Sequence, residues 1–409
     1  YTSDTRTLNG SNFKSIGNTI LGYNGLAFAE SQTVGISKTK KTNIGYLGRL
    51  NYNYDDRYHL SVSVRRDGSS VFGEDNKWGV FPAVGVAWTA SREKFMGKVP
   101  AISYLKLKAS WGKNGNQSLN SYGTLSTIRL GQTGDHPYLF GNTGSPSWAQ
   151  YVHAIGNSEL GWESTMKINA GFDIGLLEDR IHLELDAYKS KTTEQIFERV
   201  IPVMNNGFIN TKATMGQVDN WGIEFTLNTT NVRTEHITWS SMLNFYLNRN
   251  KLVDLYGDKK DDIGSSLFIG KSLGAIYGYK VIGIIQEEDT EYIAANNAVA
   301  GNPKFANLDG SEDGKITADD RTILGYRKEN FRMNMSLTFS STDWELYALF
   351  TGLFGGGDYG VEANKEAFVT YAGFINNIDH TWWTPENRNN TYPRAKFDGT
   401  DYTPIQSYA

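Results

Sequence analysis

The feature that most constrains this chain is a two-residue rhythm. In Ile181-His182-Leu183-Glu184-Leu185-Asp186-Ala187-Tyr188 every odd position is apolar and every even one polar or amphipathic. Met166 to Ile174, Trp221 to Asn228 and Phe331 to Phe339 repeat the pattern. Successive side chains of a strand point to opposite faces, so each segment carries one apolar and one polar face. The rhythm predicts strands over 42–54, 58–67, 78–89, 103–113, 163–175, 180–191, 216–229, 236–249, 330–340 and 343–354.

The connections alternate too. Asp55-Asp56-Arg57, Glu178-Asp179, Asn231 to Glu235 and Ser341-Thr342 are short, while 68–77, 114–162, 192–215 and 250–329 are long. The intermediate 90–102 segment falls in a short-side place. An antiparallel up-and-down sheet with this order gathers short turns at one end and long loops at the other, as outer-membrane barrels do. Tyr52, Tyr54, Trp88, Trp239 and Trp344 stand on apolar faces near the short-turn ends. Trp78, Trp111, Trp221 and Phe331 do so near the long-loop ends. Trp78 and Trp88 lie ~33 Å apart along one strand. A tilt of ~40° leaves ~25 Å, about the apolar height between two aromatic girdles. A soluble β domain remains the competing architecture, because half-buried sandwich strands also alternate.

Composition removes other classes. Cysteine is absent, so there is no disulfide frame and no thiolate metal site. The net charge of −4, from 40 basic and 44 acidic residues, lacks the basic excess of a nucleic-acid binder. Aromatic residues reach 13%, too many for a disordered chain. No apolar run approaches the length of a membrane-spanning helix.

Asp309-Gly310-Ser311-Glu312-Asp313-Gly314-Lys315-Ile316-Thr317-Ala318-Asp319-Asp320 is the sharpest local motif. Its oxygen side chains fall at the ligand positions of an EF-hand loop, with glycine at the sixth place. Calcium is a hard cation that collects oxygen ligands, and alternate positions of a tight loop converge on one point. The expected ligands are Asp309, Ser311, Asp313, the backbone carbonyl of Lys315, and Asp320. Ser311 in place of Asp or Asn makes the expected structural Ca2+ site weak. An acidic surface turn without metal is the alternative. Residues 287–298 are expected to form a short helix in the same long loop, 250–329.

Signs of catalysis are sparse. The histidines at 59, 136, 153, 182, 236 and 380 show no HExxH or i, i+4 pairing, and no GxSxG elbow occurs. Gly355-Gly356-Gly357 reads as a flexible loop entry. Glu184 and Asp186 share a polar strand face that in a barrel lines the lumen, although a glycosidase pair stays open on sequence grounds. No catalytic or cofactor-binding residue is therefore assigned. Trp148, Tyr151, Trp382 and Trp383, with Tyr138 and Phe140, are candidate ligand contacts; packing of the long loops is the other use for such rings.

Several motifs together resemble one family. Asp67-Gly68-Ser69-Ser70-Val71-Phe72-Gly73 is followed by Asn76-Lys77-Trp78-Gly79-Val80-Phe81-Pro82-Ala83. Trp88, Phe95-Met96, Ile102 to Ser110, Gly115-Asn116-Gln117 and Leu160-Gly161-Trp162-Glu163 come next. Gly270 to Gly274, Tyr277-Gly278-Tyr279, Asp320 to Gly325, Trp383-Thr384-Pro385-Glu386-Asn387 and Tyr392-Pro393-Arg394 complete the series. In this order, from about residue 40 to 395, they resemble the SusC/RagA family of TonB-linked outer-membrane proteins.

The resemblance implies an all-β fold: about ten strands of a larger, roughly 22-stranded, antiparallel up-and-down transmembrane barrel with long extracellular loops. On this reading residues 1–409 are a partial receptor barrel, an internal-to-C-terminal piece without plug or TonB-contacting segment, and Ser407-Tyr408-Ala409 lacks the family's terminal aromatic strand. It also implies a multi-pass protein of the Gram-negative outer membrane that imports glycans, oligosaccharides or peptides and makes or breaks no bond. The implied partners are a SusD-type surface lipoprotein, the TonB complex acting through the missing N-terminal part, outer-membrane lipid and the ligand, with no nucleic acid. Two alternatives are weighed against it: a secreted calcium-stabilised β-sandwich that binds or hydrolyses polysaccharide, and a passive porin or surface adhesin.

Overall fold

The computed structural model describes residues 1–16, 29–130, 137–139, 146–148, 150–200, 210–356, 383–390 and 393–394. Eleven strands form one sheet whose neighbours follow chain order without a crossover. They are β1 (Thr2–Ile16), β2 (Ala29–Tyr54), β3 (Tyr58–Ser69), β4 (Trp78–Thr89), β5 (Ile102–Asn116) and β6 (Glu163–Leu176). After these come β7 (Ile181–Val200), β8 (Asn210–Arg233), β9 (Ile237–Asp254), β10 (Phe331–Ser341) and β11 (Glu345–Phe354). All ten expected strands are present, and β4 has the predicted bounds.

Two expectations need correction. β1 was not predicted, because TSDTRTLNGSNFKSI offers no apolar row to mark a period of two. β7 and β8 run far beyond the expected 180–191 and 216–229, so the supposed long loop over 192–215 contracts to 201–209. A strand needs only ~9–11 residues to cross a bilayer, whereas β2 has 26, β7 20 and β8 24. The surplus is largely polar, with Val34, Ile36, Ile196, Phe197, Val200 and Met215 too few to mark a sustained apolar row.

The chain divides into two compact units. One comprises Tyr1–Lys98, Leu105–Gly171 and Lys189–Gln217; the other comprises Val99–Tyr104, Phe172–Tyr188 and Val218–Ala409. In both, most of the buried apolar residues sit in the connections, with Phe81, Val218 and Leu252 buried on sheet strands. The first unit buries Val71, Phe72, Leu119 and Leu160 in one cluster. Trp162 closes it, with its ring centroid 4.8 Å from that of Phe72 and 5.3 Å from that of Phe81. The second buries Leu252, Leu255, Phe268, Ile284, Ile285 and Trp383. The Ile181/Leu183/Leu185 row is half-buried, not sealed. A soluble sandwich would hide such a row in its core, so this architecture is set aside.

Tight turns close the short-turn end. Asp55 and Asp56 both have positive φ, as a two-residue primed turn requires. Leu177, Glu178 and Asp179 do so consecutively. Left-handed backbone is costly for leucine. Neighbouring bonds hold the turn in place: Leu177 N donates to Ala101 O at 3.0 Å, and Ser103 Oγ donates to Asp179 Oδ1 at 2.7 Å.

Candidate functional site

The wall has two chemically distinct faces, set by strand parity. On the β2–β4 segment one face carries Tyr46, Leu50, Tyr52, Tyr54, Val62, Val64, Trp78, Val80 and Val86, each more than a third exposed. Valine and leucine exposed in a contiguous sheet have no place in water but suit lipid. Trp78 pairs with Gly68 and Trp88 with Tyr58, so both tryptophans share this face at its two ends.

The second unit repeats the arrangement. Phe225, Phe245, Phe331 and Phe354 form a chain of rings with successive centroids 5.3, 5.5 and 4.6 Å apart. Trp239 and Phe339, 5.1 Å apart, lie towards the short-turn end of the same strands. Aromatic rings of this kind settle at membrane–water interfaces.

The opposite face is hydrophilic. In the first unit Arg49, Ser61, Ser63, Ser110, Lys167 and Asn169 border a concavity of about 300 Å³. Ser61 Oγ donates to Asn51 Oδ1 at 2.8 Å. In the second unit Thr226 Oγ1 donates to Asn244 Oδ1 at 2.9 Å. A polar inner face lines the lumen of a transport barrel.

The acidic motif lies in the second unit. The short helix expected over 287–298 is α1 (Thr290–Asn296), and it holds the loop through Asn296. Asn296 Nδ2 donates to Gly314 O at 2.9 Å, and Ile316 N donates to Asn296 Oδ1 at 2.7 Å. Gly310 and Gly314 have φ of 77° and 66°, so the predicted bend at the sixth position is present.

The five expected calcium ligands divide in the structure. Asp309, Ser311, Asp313 and Lys315 are exposed on the loop. Ser311 N donates to Asp309 Oδ1 at 2.7 Å, and Ser311 Oγ and Lys315 N donate to Asp313 Oδ1 at 2.9 and 3.0 Å.

Asp320 is fully buried. Its Oδ1 accepts from Leu308 N and Asp309 N at 2.6 and 3.1 Å, and its Oδ2 from Thr317 N at 2.7 Å. These amides hold the Asp320 carboxyl below its usual range, the bond from Thr317 foremost. Both oxygens that would close a metal cage are therefore committed to backbone donors. Among the described residues no three His, Asp or Glu side chains are gathered as a metal set. Asp309, Ser311, Asp313 and Lys315 thus gather on the exposed turn, while Asp320 is buried on backbone donors. The Thr317-Ala318-Asp319-Asp320 spacing already held the cue to this other role, as a helix-capping box.

The loop aromatics are placed as follows. Trp382 and Phe140 lie outside the described residues. Trp148 and Tyr151 belong to short hairpin strands, Pro146–Trp148 and Gln150–Ala154. Trp383, expected as a ligand contact, is instead buried: it packs against Gly301, and its Nε1 donates to Gln286 Oε1 at 2.9 Å. The space at Gly301, where an added Cβ would stand 2.4 Å from the Trp383 ring, is filled by this packing.

Sequence reasoning missed one polar cluster at the short-turn end. The Glu93 carboxylate accepts from Tyr58 OH at 2.7 Å, Arg57 Nη1 at 3.1 Å and Trp88 Nε1 at 3.3 Å. These bonds, led by that from Tyr58, lower its pKa. Nothing in the local sequence marks residues 35 positions apart as partners.

An up-and-down sheet with a lipid-compatible face, a polar face, two aromatic girdles and short and long connections on opposite ends defines an outer-membrane β-barrel protein. Comparison with known proteins gives the family. The pattern described as "TonB dependent receptor-like, beta-barrel" matches residues 1–281. TonB-dependent receptor P26 of Formosa agariphila is 33% identical over 379 residues, covering 88% of this chain and 37% of that receptor. TonB-dependent receptor SusC of Bacteroides thetaiotaomicron is 33% identical over 224 residues, covering 55% of the chain and 22% of SusC. A solved structure of the RagAB peptide transporter superposes with a TM-score of 0.69 at 21% identity, over 88% of this chain and 39% of that one. The chain belongs to the TonB-dependent receptor β-barrel family, of the SusC/RagA type, and spans under two-fifths of each of these three proteins.

Proposed function

We propose that this chain forms the wall and outer loops of a TonB-driven importer of oligosaccharides or peptides, working beneath a surface lipoprotein of the SusD type. The observation that carries the reading is the pairing of a lipid-compatible face with a polar face on an uninterrupted up-and-down sheet, with packed loop lobes at one end only. SusC among the relatives and a peptide transporter among the structural neighbours support large nutrients as the cargo class. Binding and translocation account for every feature of the wall, and no step in the reading makes or breaks a bond. The acidic loop is a self-closing structural element, held by Asp320 on three amides; no step is routed through calcium.

The test is growth and uptake. A strain lacking the gene, supplied with fluorescent oligosaccharides or peptides, should lose uptake of one class and regain it only when the gene and the TonB complex are both intact. Undiminished uptake of both classes without the gene, or equal uptake without TonB, would overturn the proposal.

A further inference from the structure

One charged side chain stands on the wrong face of the wall. Arg66 shares strand parity with Val62 and Val64 on the lipid side, pairing with Tyr46 on β2 and Val80 on β4. It is exposed and makes no ion pair among the described residues. Its neighbour Arg65, on the polar face, is neutralised by Asp67 at 2.6 Å. A guanidinium in hydrocarbon is costly, so it must reach an interface and a partner.

The structure shows where it reaches. The Arg66 Cζ lies 4.8 Å from the centre of the Trp78 ring, in the girdle at the long-loop end. The Tyr46 ring stacks near the same indole, with centroids 6.3 Å and planes 19° apart. The indole lies across Gly68, where an added Cβ would fall 2.9 Å from it. Glycine, indole, phenol and guanidinium thus form a shelf at the outer boundary of the lipid.

The charge pattern around the shelf is one-sided. Lys40 and Lys38 share the parity of Tyr46 and are exposed further along β2. Their register partners on β1 are Thr5 and Thr7, which are uncharged. The acids Asp4 and Asp67, with the bases Lys41 and Arg65, belong to the opposite parity. From Arg66 to Lys38 the lipid side of β2 and β3 therefore carries three cations and no carboxylate, the same-parity Glu30 standing eight residues beyond Lys38. Glu74 and Asp75, in the connection before Trp78, make no ion pair with Arg66.

The geometry points to a phosphorylated lipid headgroup as the occupant. Long loops of such barrels face outwards, so the shelf lies in the outer leaflet, whose glycolipid carries phosphates next to its acyl chains. We infer that Arg66, braced on Trp78, binds a phosphate of an outer-leaflet glycolipid, with Lys40 and Lys38 meeting anionic groups further out. Guanidinium and phosphate make strong charge-assisted pairs, and basic clusters at membrane interfaces select such headgroups.

The experiment uses the receptor extracted from outer membranes and stripped of lipid, with native mass spectrometry counting bound lipid A. Heat-modifiable gel migration verifies folding of each variant. Bisphosphorylated lipid A should bind the parent about fivefold more tightly than Arg66→Gln, and about a hundredfold more tightly than the triple variant that adds Lys38→Gln and Lys40→Gln. Arg66→Lys should recover part of the loss. Dephosphorylated lipid should bind parent and Arg66→Gln alike. Equal binding of bisphosphorylated lipid A by parent and Arg66→Gln would overturn the inference. Displacement of the lipid by millimolar inorganic phosphate would assign the shelf to a soluble anion and overturn it equally.

Discussion

The two ends of the sheet are fastened by different chemistry. At the short-turn end, Glu93 gathers Tyr58, Arg57 and Trp88, while Asp179 grips Ser103. At the long-loop end, leucine, isoleucine, phenylalanine and tryptophan are buried as in a soluble domain. The difference follows from length. The two- and three-residue turns at Asp55 and Leu177 have no chain to spare for a core, so directed polar bonds fix them, and Glu93 ties the longer 90–101 connection back to Arg57 and Tyr58. A connection of dozens of residues must repay its own ordering entropy, and apolar burial is the means available to it. In a barrel wall that keeps its apolar face for lipid, hydrophobic cores belong to the loops.

The contrast can be broken by experiment. Leu160 is fully buried, so Leu160→Ala should cost about 2–5 kcal/mol locally. Hydrogen exchange should then accelerate around residues 71–72, 119 and 160 but not in the short turns; unchanged protection would show that the lobe is not held by its core.

Asp320→Asn should rank next, because a carboxamide cannot accept from three amides with the same charge. Exchange should rise across 306–321, and treatment of the parent with EDTA should leave this segment unchanged. If EDTA opened the loop as fully as the substitution, calcium would be its fastening. Trp383→Phe keeps most of the ring volume and loses the bond to Gln286, worth about 0.5–1.5 kcal/mol; protease sensitivity near 283–302 should rise modestly.

The smallest effect is expected at the opposite end, from Glu93→Gln, and pH sharpens it. The folded pKa values of Glu93 and Asp320 are both depressed by hydrogen-bond donors. Such groups add stability above their unfolded pKa values, ~4.3 for Glu and ~3.9 for Asp. The contribution is lost as pH falls through the lower folded values. The parent should therefore weaken below about pH 4 at both ends. Glu93→Gln should flatten this dependence at the turns alone, read by exchange at 55–58 and 89–94; an unaltered profile there would remove Glu93 from the clasp.

Much of the wall was legible because lipid and lumen impose period two on every strand. The strand ends were not: past the bilayer, β7 and β8 have no sustained apolar row on either face and resemble loops in a one-dimensional reading. β1 was hidden for the same reason. In the acidic loop, spacing located the bend at Gly314 and the convergence of oxygens. It could not show which donors they meet, since Leu308 and Thr317 reach Asp320 only after the chain has turned back. Arg66 was visible as a residue, but its isolation from carboxylates required the register of β2 and β3.

The length of β2 has a last consequence. Beyond Tyr46 its backbone continues to Ala29, paired with β1 as far as Ile16. Seventeen such residues extend ~56 Å. The outer half of this ribbon is a hydrogen-bonded pier beyond the headgroups, with Lys38, Lys40 and Lys41 on the inner half that meets them. An antibody or phage tail arriving along this ribbon would touch the paired backbone of β1 and β2 well before it touched lipid.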